Sequence, residues 1–74
     1  MKKDYMVSYE AIKGYPNELI CGTLKEARKE AKRLSKNFGW ARIQMWYEEG
    51  GDWVISESFE INYEKGVEEK WKKC

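Results

Sequence analysis

The sequence predicts an α+β fold in which one helix packs on one face of an antiparallel sheet of three to five strands. Three observations predict it: several runs of alternating polar and apolar residues, one segment with helical spacing, and a Gly-Gly pair between two of the alternating runs. With 74 residues, the chain is expected to form a single domain, 1–74, with its elements in the order β-(β)-α-β-β.

The first alternating run, residues 5–12, predicts a strand. Residues 14–17 then carry turn chemistry, because glycine takes positive φ at little cost, proline fixes φ and asparagine tolerates a left-handed backbone. Residues 19–21 predict a short second strand that returns along the first. This interpretation places Pro16 in the turn, where its missing N–H removes no strand hydrogen bond.

A capping box marks the start of the helix. Thr23 and Glu26 have the spacing at which the threonine oxygen accepts from the Glu26 amide, which predicts a helix over residues 24–37. Gly39 is placed to close its last turn in a left-handed conformation. Apolar residues spaced by three and four form one stripe toward a core, and two alanines in the stripe indicate close packing on the sheet; the stripe is Leu24, Ala27, Ala31, Leu34 and Phe38.

Two further strands are predicted after the helix, over residues 40–48 and 53–63. Gly50 and Gly51 lie between them and favour a tight hairpin, because primed turns need positive φ. In the second of these strands, the alternate residues that form the apolar face include the charged residue Glu57. We therefore expect a bulge or break near residue 57, with the remainder forming a separate strand.

The C-terminal segment, residues 64–74, is rich in charged residues, with Val67 and Trp71 four positions apart. This spacing leaves three alternatives open: a last strand, one or two helical turns, or a frayed end.

The sheet face opposite the helix is the first candidate for function. If Ile43 faces the helix, the residues of the other parity in the same strand face away from it, and they combine two tryptophans with an arginine and a glutamine: Trp40, Arg42, Gln44 and Trp46. Tryptophan and arginine are enriched among binding hot spots. Three occupants of this face are left open: the C-terminal segment with Trp71, a second copy of the chain, or a different partner.

Charge is distributed unevenly along the chain, with a net charge of +4 over residues 23–37 and −4 over residues 40–63. A solvated helix face and a solvated hairpin would also give this pattern. The alternative is that both segments orient a partner, and the candidate residues are then Lys29, Lys32, Arg33 and Lys36 on the helix and Glu48, Glu49 and Asp52 in the hairpin.

Several function classes are disfavoured by composition. The chain has no histidine, so histidine-based catalysis and histidine metal sites are excluded, and we expect neither an enzyme nor a cofactor. Cys21 and Cys74 do not form a disulfide framework, which favours a reduced, cytoplasmic protein. Because no long apolar stretch is present, no membrane partner is expected.

Four segments of the sequence carry a resemblance to a known family. They are residues 5–10 (Tyr-Met-Val-Ser-Tyr-Glu), 24–34 (Leu-Lys-Glu-Ala-Arg-Lys-Glu-Ala-Lys-Arg-Leu), 41–46 (Ala-Arg-Ile-Gln-Met-Trp) and 51–57 (Gly-Asp-Trp-Val-Ile-Ser-Glu). The chain resembles the small anti-CRISPR proteins of phages and prophages, in particular a type I-F inhibitor, over residues 4–60. It is also similar to small bacterial strand-helix-strand-strand domains of unknown function. The inhibitor resemblance implies docking on a protein surface that normally binds nucleic acid, and it assigns no particular functional residue.

The sequence therefore favours a non-enzymatic interaction protein, encoded by a phage, that inhibits a nucleic-acid-handling complex in the cytoplasm of the host cell. Its expected partner is a host protein or ribonucleoprotein complex. The alternative is a small, dimeric nucleic-acid-binding regulator. Nucleic acid is the less favoured partner, because the pI of about 7.7 is low for a dedicated nucleic-acid-binding domain.

Overall fold

One helix packs on one face of a five-stranded antiparallel sheet, which confirms the predicted fold class. The computed structural model describes residues 2–69. Its sheet has the strand order β2-β1-β3-β4-β5. The elements are β1 (Lys3–Ile12), β2 (Tyr15–Cys21), α1 (Leu24–Phe38), β3 (Trp40–Glu49), β4 (Asp52–Glu64) and β5 (Val67–Glu69).

The first hairpin differs from the prediction at its turn. The turn lies at Lys13 and Gly14, and β2 already begins at Tyr15, so the turn predicted for residues 14–17 was wrong beyond its first residue. Pro16 is inside β2, where it pairs with Glu10 of β1. A proline is tolerated there because β2 is an edge strand, whose outer backbone groups need no neighbour.

The ends of α1 follow the predicted capping. The Thr23 side-chain oxygen accepts from the Glu26 amide at 3.2 Å, and the Gly39 amide donates to the Ser35 carbonyl at 2.8 Å with a φ of 106°. The helix extends one residue beyond the predicted end, to Phe38. Among residues 2–69, no helix has the length and apolar character needed to cross a membrane.

The core lies between α1 and the sheet. Ala27 and Ala31 are fully buried, as expected for a helix that lies close to the strands, whereas Phe38 is 41% exposed and stacks on Tyr9 instead. The buried cluster contains Val7, Cys21, Ala27, Ala31, Leu34, Ala41, Ile43 and Tyr63. No tryptophan belongs to this cluster, so the largest side chains that the structure describes lie elsewhere.

Ser35 is a buried polar residue that the apolar stripe did not predict. Its hydroxyl donates to the Lys32 carbonyl at 3.1 Å and accepts from the Gly66 amide at 2.9 Å. The second bond ties the turn between β4 and β5 to the last turn of α1. The Lys65 amide strengthens this link by donating to the Gly39 carbonyl at 2.9 Å.

The predicted irregularity in the long fourth strand is a bulge, and β4 continues through it as one strand. Gln44 pairs with Glu60, but Trp46 pairs with Ile55, so β4 has four residues where β3 has one. The bulge changes which residues face the helix. Phe59 packs against the core, whereas Ile55 lies on the opposite face, beside Trp46.

The C-terminal segment forms a strand in the part that the structure describes. β5 pairs with the end of β4 through Glu64 and Val67, so residues 67–69 do not form the helical turn that the sequence left open. Residues 70–74, with Trp71 and Cys74, lie outside the described residues. Coverage of the sheet by Trp71 therefore stays a prediction.

Candidate docking face

Strand pairing decides which side chains share the sheet face away from α1, because residues directly opposite each other point to the same side. Met6 pairs with Gln44, and Trp46 pairs with both Asp4 and Ile55. We call this side the open face. It comprises Asp4, Met6, Ser8, Glu10, Pro16, Glu18, Ile20, Trp40, Arg42, Gln44, Trp46, Glu48, Trp53, Ile55, Glu60, Asn62, Glu64, Val67 and Glu69.

All four aromatic and polar candidates of β3 lie on the open face, where the alternation placed them: Trp40, Arg42, Gln44 and Trp46. Their role in binding a partner stays a prediction. Trp53 was not among the residues predicted from the sequence to bind a partner. It lies on the open face because the Gly50–Gly51 turn pairs it with Glu48, and it is 44% exposed.

The open face is strongly acidic. Within residues 2–69 it carries seven carboxylates and one guanidinium, a net charge of −6. The sequence predicted the acidic hairpin but missed Asp4, Glu10 and Glu18, which are scattered among apolar residues of the first hairpin. Pairing with β3 brings these carboxylates onto the same surface as the tryptophans.

The basic candidates of α1 lie on the other side of the sheet from the open face. Lys29, Lys32 and Lys36 are exposed, while Arg33 is held by Glu30 through a hydrogen bond of 3.1 Å from its Nε atom. Arg28 is likewise paired, at 3.2 Å from Glu68. The structure therefore does not bring the basic and acidic candidates into one site.

The acidic hairpin ends beside the open face. Glu48 pairs with Trp53 on that face, whereas Glu49 and Asp52 pair with each other at the base of the turn. Gly50 and Gly51 make this tight turn possible, with φ values of 60° and 88°. Like charges directly opposite each other destabilise a strand pair, so the turn retains two carboxylates at a cost in stability.

One end of the open face, which we call the Trp40 end, is held together by contacts within the chain. The Trp40 indole N–H donates to the Glu10 carboxylate at 3.0 Å. The Arg42 guanidinium carbon lies 5.9 Å from the centre of the Trp40 ring. Arg42 also donates to Asn62 at 3.1 Å and lies 3.7 Å from Glu60. The Trp40 indole and the Arg42 guanidinium thus have partners within the chain.

The other end of the open face, the Trp46 end, contains an apolar groove of about 340 Å³ lined by Asp4, Met6, Ile20, Trp46 and Trp53. Met6 is only 9% exposed although it faces away from the helix, so these side chains form a second, smaller apolar cluster. Asp4 is the charged residue in the lining.

Two polar groups at the Trp46 end have no partner among residues 2–69. The indole N–H of Trp46 is buried and has no hydrogen-bond acceptor there. The Asp4 carboxylate makes no salt bridge there. Buried polar groups are nearly always paired in folded proteins, so the Trp46 N–H distinguishes this end from the Trp40 end, where the indole N–H has an acceptor.

Two groups on the helix side have perturbed ionisation. Burial, and to a smaller extent Glu26 and Glu30, raises the pKa of the Cys21 thiol. Burial, and then the hydrogen bond to Glu68, raises the pKa of Tyr63. Both groups therefore stay protonated at neutral pH, and a protonated thiol is a poor nucleophile.

No cluster of three metal-binding side chains occurs in the described part of the chain.

No protein-family model, no curated protein and no solved structure matches this chain. Function is therefore inferred from the fold and from the open face. Together they define a small α+β domain whose sheet presents tryptophans within an acidic surface, with a basic helix behind it.

Proposed function

We propose that this chain is a non-enzymatic interaction protein that docks its open face on a basic protein surface, of the kind that normally holds nucleic acid. The observation that carries the proposal is the presence of Trp46 and Trp53 within a surface of net charge −6. Tryptophans supply burial at the centre of an interface, while carboxylates orient the partner and speed its association.

A second copy of the chain is a poor occupant of the open face. Two such faces would bring a net charge of −6 against another −6, and like charges placed against each other cost several kcal/mol at an interface. We therefore expect a monomer, and a concentration-independent molecular mass in solution would support this.

Nucleic acid is a poor occupant of the open face for a related reason. Binding sites for single strands combine aromatic platforms with positive charge, whereas here seven carboxylates surround the tryptophans. The alternative function, a nucleic-acid-binding regulator, would have to use the exposed lysines of α1, such as Lys29, Lys32 and Lys36. It predicts DNA or RNA binding that weakens steeply with salt and is lost when these lysines become glutamine.

The finer proposal is that the chain is a phage-encoded inhibitor that acts in the host cytoplasm on a CRISPR complex of type I-F. The resemblance of residues 4–60 to that class of inhibitor supports it. The acidic open face supports it as well, because carboxylates can occupy a basic groove in place of phosphates.

Phage plaquing tests this function. The chain is expressed in a host whose type I-F system targets an infecting phage, and we expect plaquing to rise to the level of an untargeted phage. Trp46→Ala should abolish the protection, since it removes the proposed anchor. Tyr15→Ala is the matched control, because Tyr15 is 71% exposed and lies outside the open face.

Two results would contradict the function. Plaquing that stays at the targeted level with the unmodified chain would exclude inhibition of this complex. Equal loss of protection in Trp46→Ala and Tyr15→Ala, with both variants folded by circular dichroism, would exclude the Trp46 end as the contact surface.

A further inference from the structure

We infer that the groove at the Trp46 end receives an arginine side chain of the protein partner. The inference rests on the proposed docking of the open face and names what that face recognises. Asp4 would pair with the guanidinium, the indoles of Trp46 and Trp53 would stack on it, and the apolar lining would hold its methylene stem.

The Trp40 end shows the same recognition carried out within the chain. There the Arg42 guanidinium lies over the Trp40 ring and approaches the Glu60 carboxylate at 3.7 Å. An indole, a carboxylate and a guanidinium thus already form one set on this face. Trp40 and Arg42 lie on the same strand as Trp46, and Glu60 lies on β4.

At the Trp46 end the indole and the carboxylate are present, and the cation is missing among residues 2–69. Asp4 is directly opposite Trp46 in the strand pairing, and Trp53 is diagonal to it across the β3–β4 pair. No salt bridge to Asp4 occurs in this part of the chain. A partner that brings a cation would complete the set.

The size and lining of the groove suit one long side chain with a charged end. Its volume of about 340 Å³ is at the low end of the roughly 300–1,000 Å³ of small-molecule sites. Met6 and Ile20 offer apolar walls. An entirely apolar occupant would leave the Asp4 carboxylate desolvated without a counter-charge, which is costly.

Arginine fits this groove better than lysine does. A guanidinium is planar, so it stacks on an indole ring and can donate two parallel hydrogen bonds to a carboxylate. It is also less strongly hydrated than an ammonium, so less hydration is lost when it enters the groove. The net charge of −6 on the surrounding face attracts either cation, and the geometry of the groove selects between them.

Nuclear magnetic resonance of the full chain labelled with ¹⁵N tests the inference. The probe is an acetylated and amidated peptide Gly-Gly-Arg-Gly-Gly, compared with matched peptides that carry lysine or the neutral isostere citrulline. We expect the arginine peptide to shift the indole N–H resonances of Trp46 and Trp53 saturably, and to leave that of Trp40 in place. The lysine peptide should bind more weakly, and the citrulline peptide should cause no shift.

Two variants separate the groove from the general acidity of the face. Asp4→Asn should weaken binding of the arginine peptide about tenfold, which corresponds to about 1.4 kcal/mol. Glu64→Gln removes one carboxylate from the same face at the Trp40 end, so it should weaken binding far less. The amide spectrum of each sample shows directly whether the variant is folded.

Equal shifts from the citrulline and arginine peptides would overturn the inference, as would equal weakening by Asp4→Asn and Glu64→Gln. Shifts that depend on protein concentration without peptide would instead assign the groove to a second copy.

Failure of this inference can be distinguished from failure of the proposed function. A chain that restores plaquing but does not bind the peptide would retain the function without this groove, and the reverse result would retain the groove alone.

Discussion

The two tryptophans of β3 lie on the same face of the same strand, yet their surroundings differ. Trp40 has an acceptor for its N–H in Glu10 and a cation over its ring in Arg42, whereas the N–H of Trp46 has no acceptor among residues 2–69. A tryptophan whose polar groups are paired within the chain contributes to the fold. The N–H of Trp46 lacks that pairing within the described chain, and its ring lines the groove of the proposed docking surface.

The difference arises from the neighbouring strands. Antiparallel pairing of β1 with β3 places Glu10 near Trp40 and Asp4 opposite Trp46. The Gly50–Gly51 turn pairs Glu48 with Trp53 and Trp46 with Ile55, which places Trp53 and Ile55 on the open face at the Trp46 end. The groove therefore depends on the register that the Gly50–Gly51 turn sets, and the bulge lets the rest of β4 pack against the helix.

The largest difference between the two ends is expected for loss of the indole N–H. Trp40→Phe removes the hydrogen bond to the Glu10 carboxylate and should lower the free energy of unfolding by about 1.5 kcal/mol more than Trp46→Phe does. Trp46→Phe removes a buried N–H that has no acceptor in the described chain, and the relief of its desolvation offsets lost packing. Urea unfolding of both variants measures the difference.

A smaller difference is expected between the two carboxylates. Glu10 accepts from the Trp40 indole at 3.0 Å and from the Gly14 amide at 2.8 Å, so Glu10→Gln should cost about 1 kcal/mol. Asp4→Asn should cost nothing or stabilise the chain slightly, since it removes one of several like charges. Thermal unfolding at low salt compares them, and an equal loss in both would mean that Asp4 has a partner within the chain.

The smallest effect concerns the acidic turn next to the Trp46 end. Glu49→Lys replaces a pair of opposing carboxylates with an ion pair and should stabilise the hairpin by ~0.5 kcal/mol. Glu57→Lys is the control, because Glu57 lies in the bulge and has no acidic residue opposite it in the strand pairing. A midpoint of unfolding that rises equally in both variants would attribute the gain to net charge and not to the Glu49–Asp52 pair.

Local patterns were sufficient to predict much of the fold. The ends of α1 depend on contacts between residues three or four apart, such as Thr23 with Glu26, and these are legible in the sequence. Alternation placed Trp40 and Trp46 on the open face correctly, because a regular strand reverses its side chains at every residue.

Features that depend on the whole sheet were not predicted. Pro16 fits inside β2 only because that strand is at the edge, and the edge is set by the strand order. The contact between Glu10 and Trp40 joins residues thirty positions apart. The side of the sheet on which Ile61 and Tyr63 lie, relative to Trp53, depends on the number of residues in the bulge, which the sequence located but did not count.

The acidity of the open face was underestimated for the same reason. Counting charge along the chain found the hairpin after α1, but Asp4, Glu10 and Glu18 join that surface only through strand pairing. The parity of the first strand alone placed Glu10 on the correct side. Assigning the charged residues of every strand to one sheet face or the other by alternation would have found most of the surface.

The central claim, that the open face and not the basic helix contacts the partner, is tested most directly by displacement of target DNA from a purified type I-F complex. One variant combines Asp4→Asn, Glu48→Gln and Glu60→Gln on the open face, and the other combines Lys29→Gln, Lys32→Gln and Lys36→Gln on α1. We predict that the first variant no longer displaces the DNA while the second does so as well as the unmodified chain. Displacement that survives in the open-face variant and is lost in the helix variant would contradict the account.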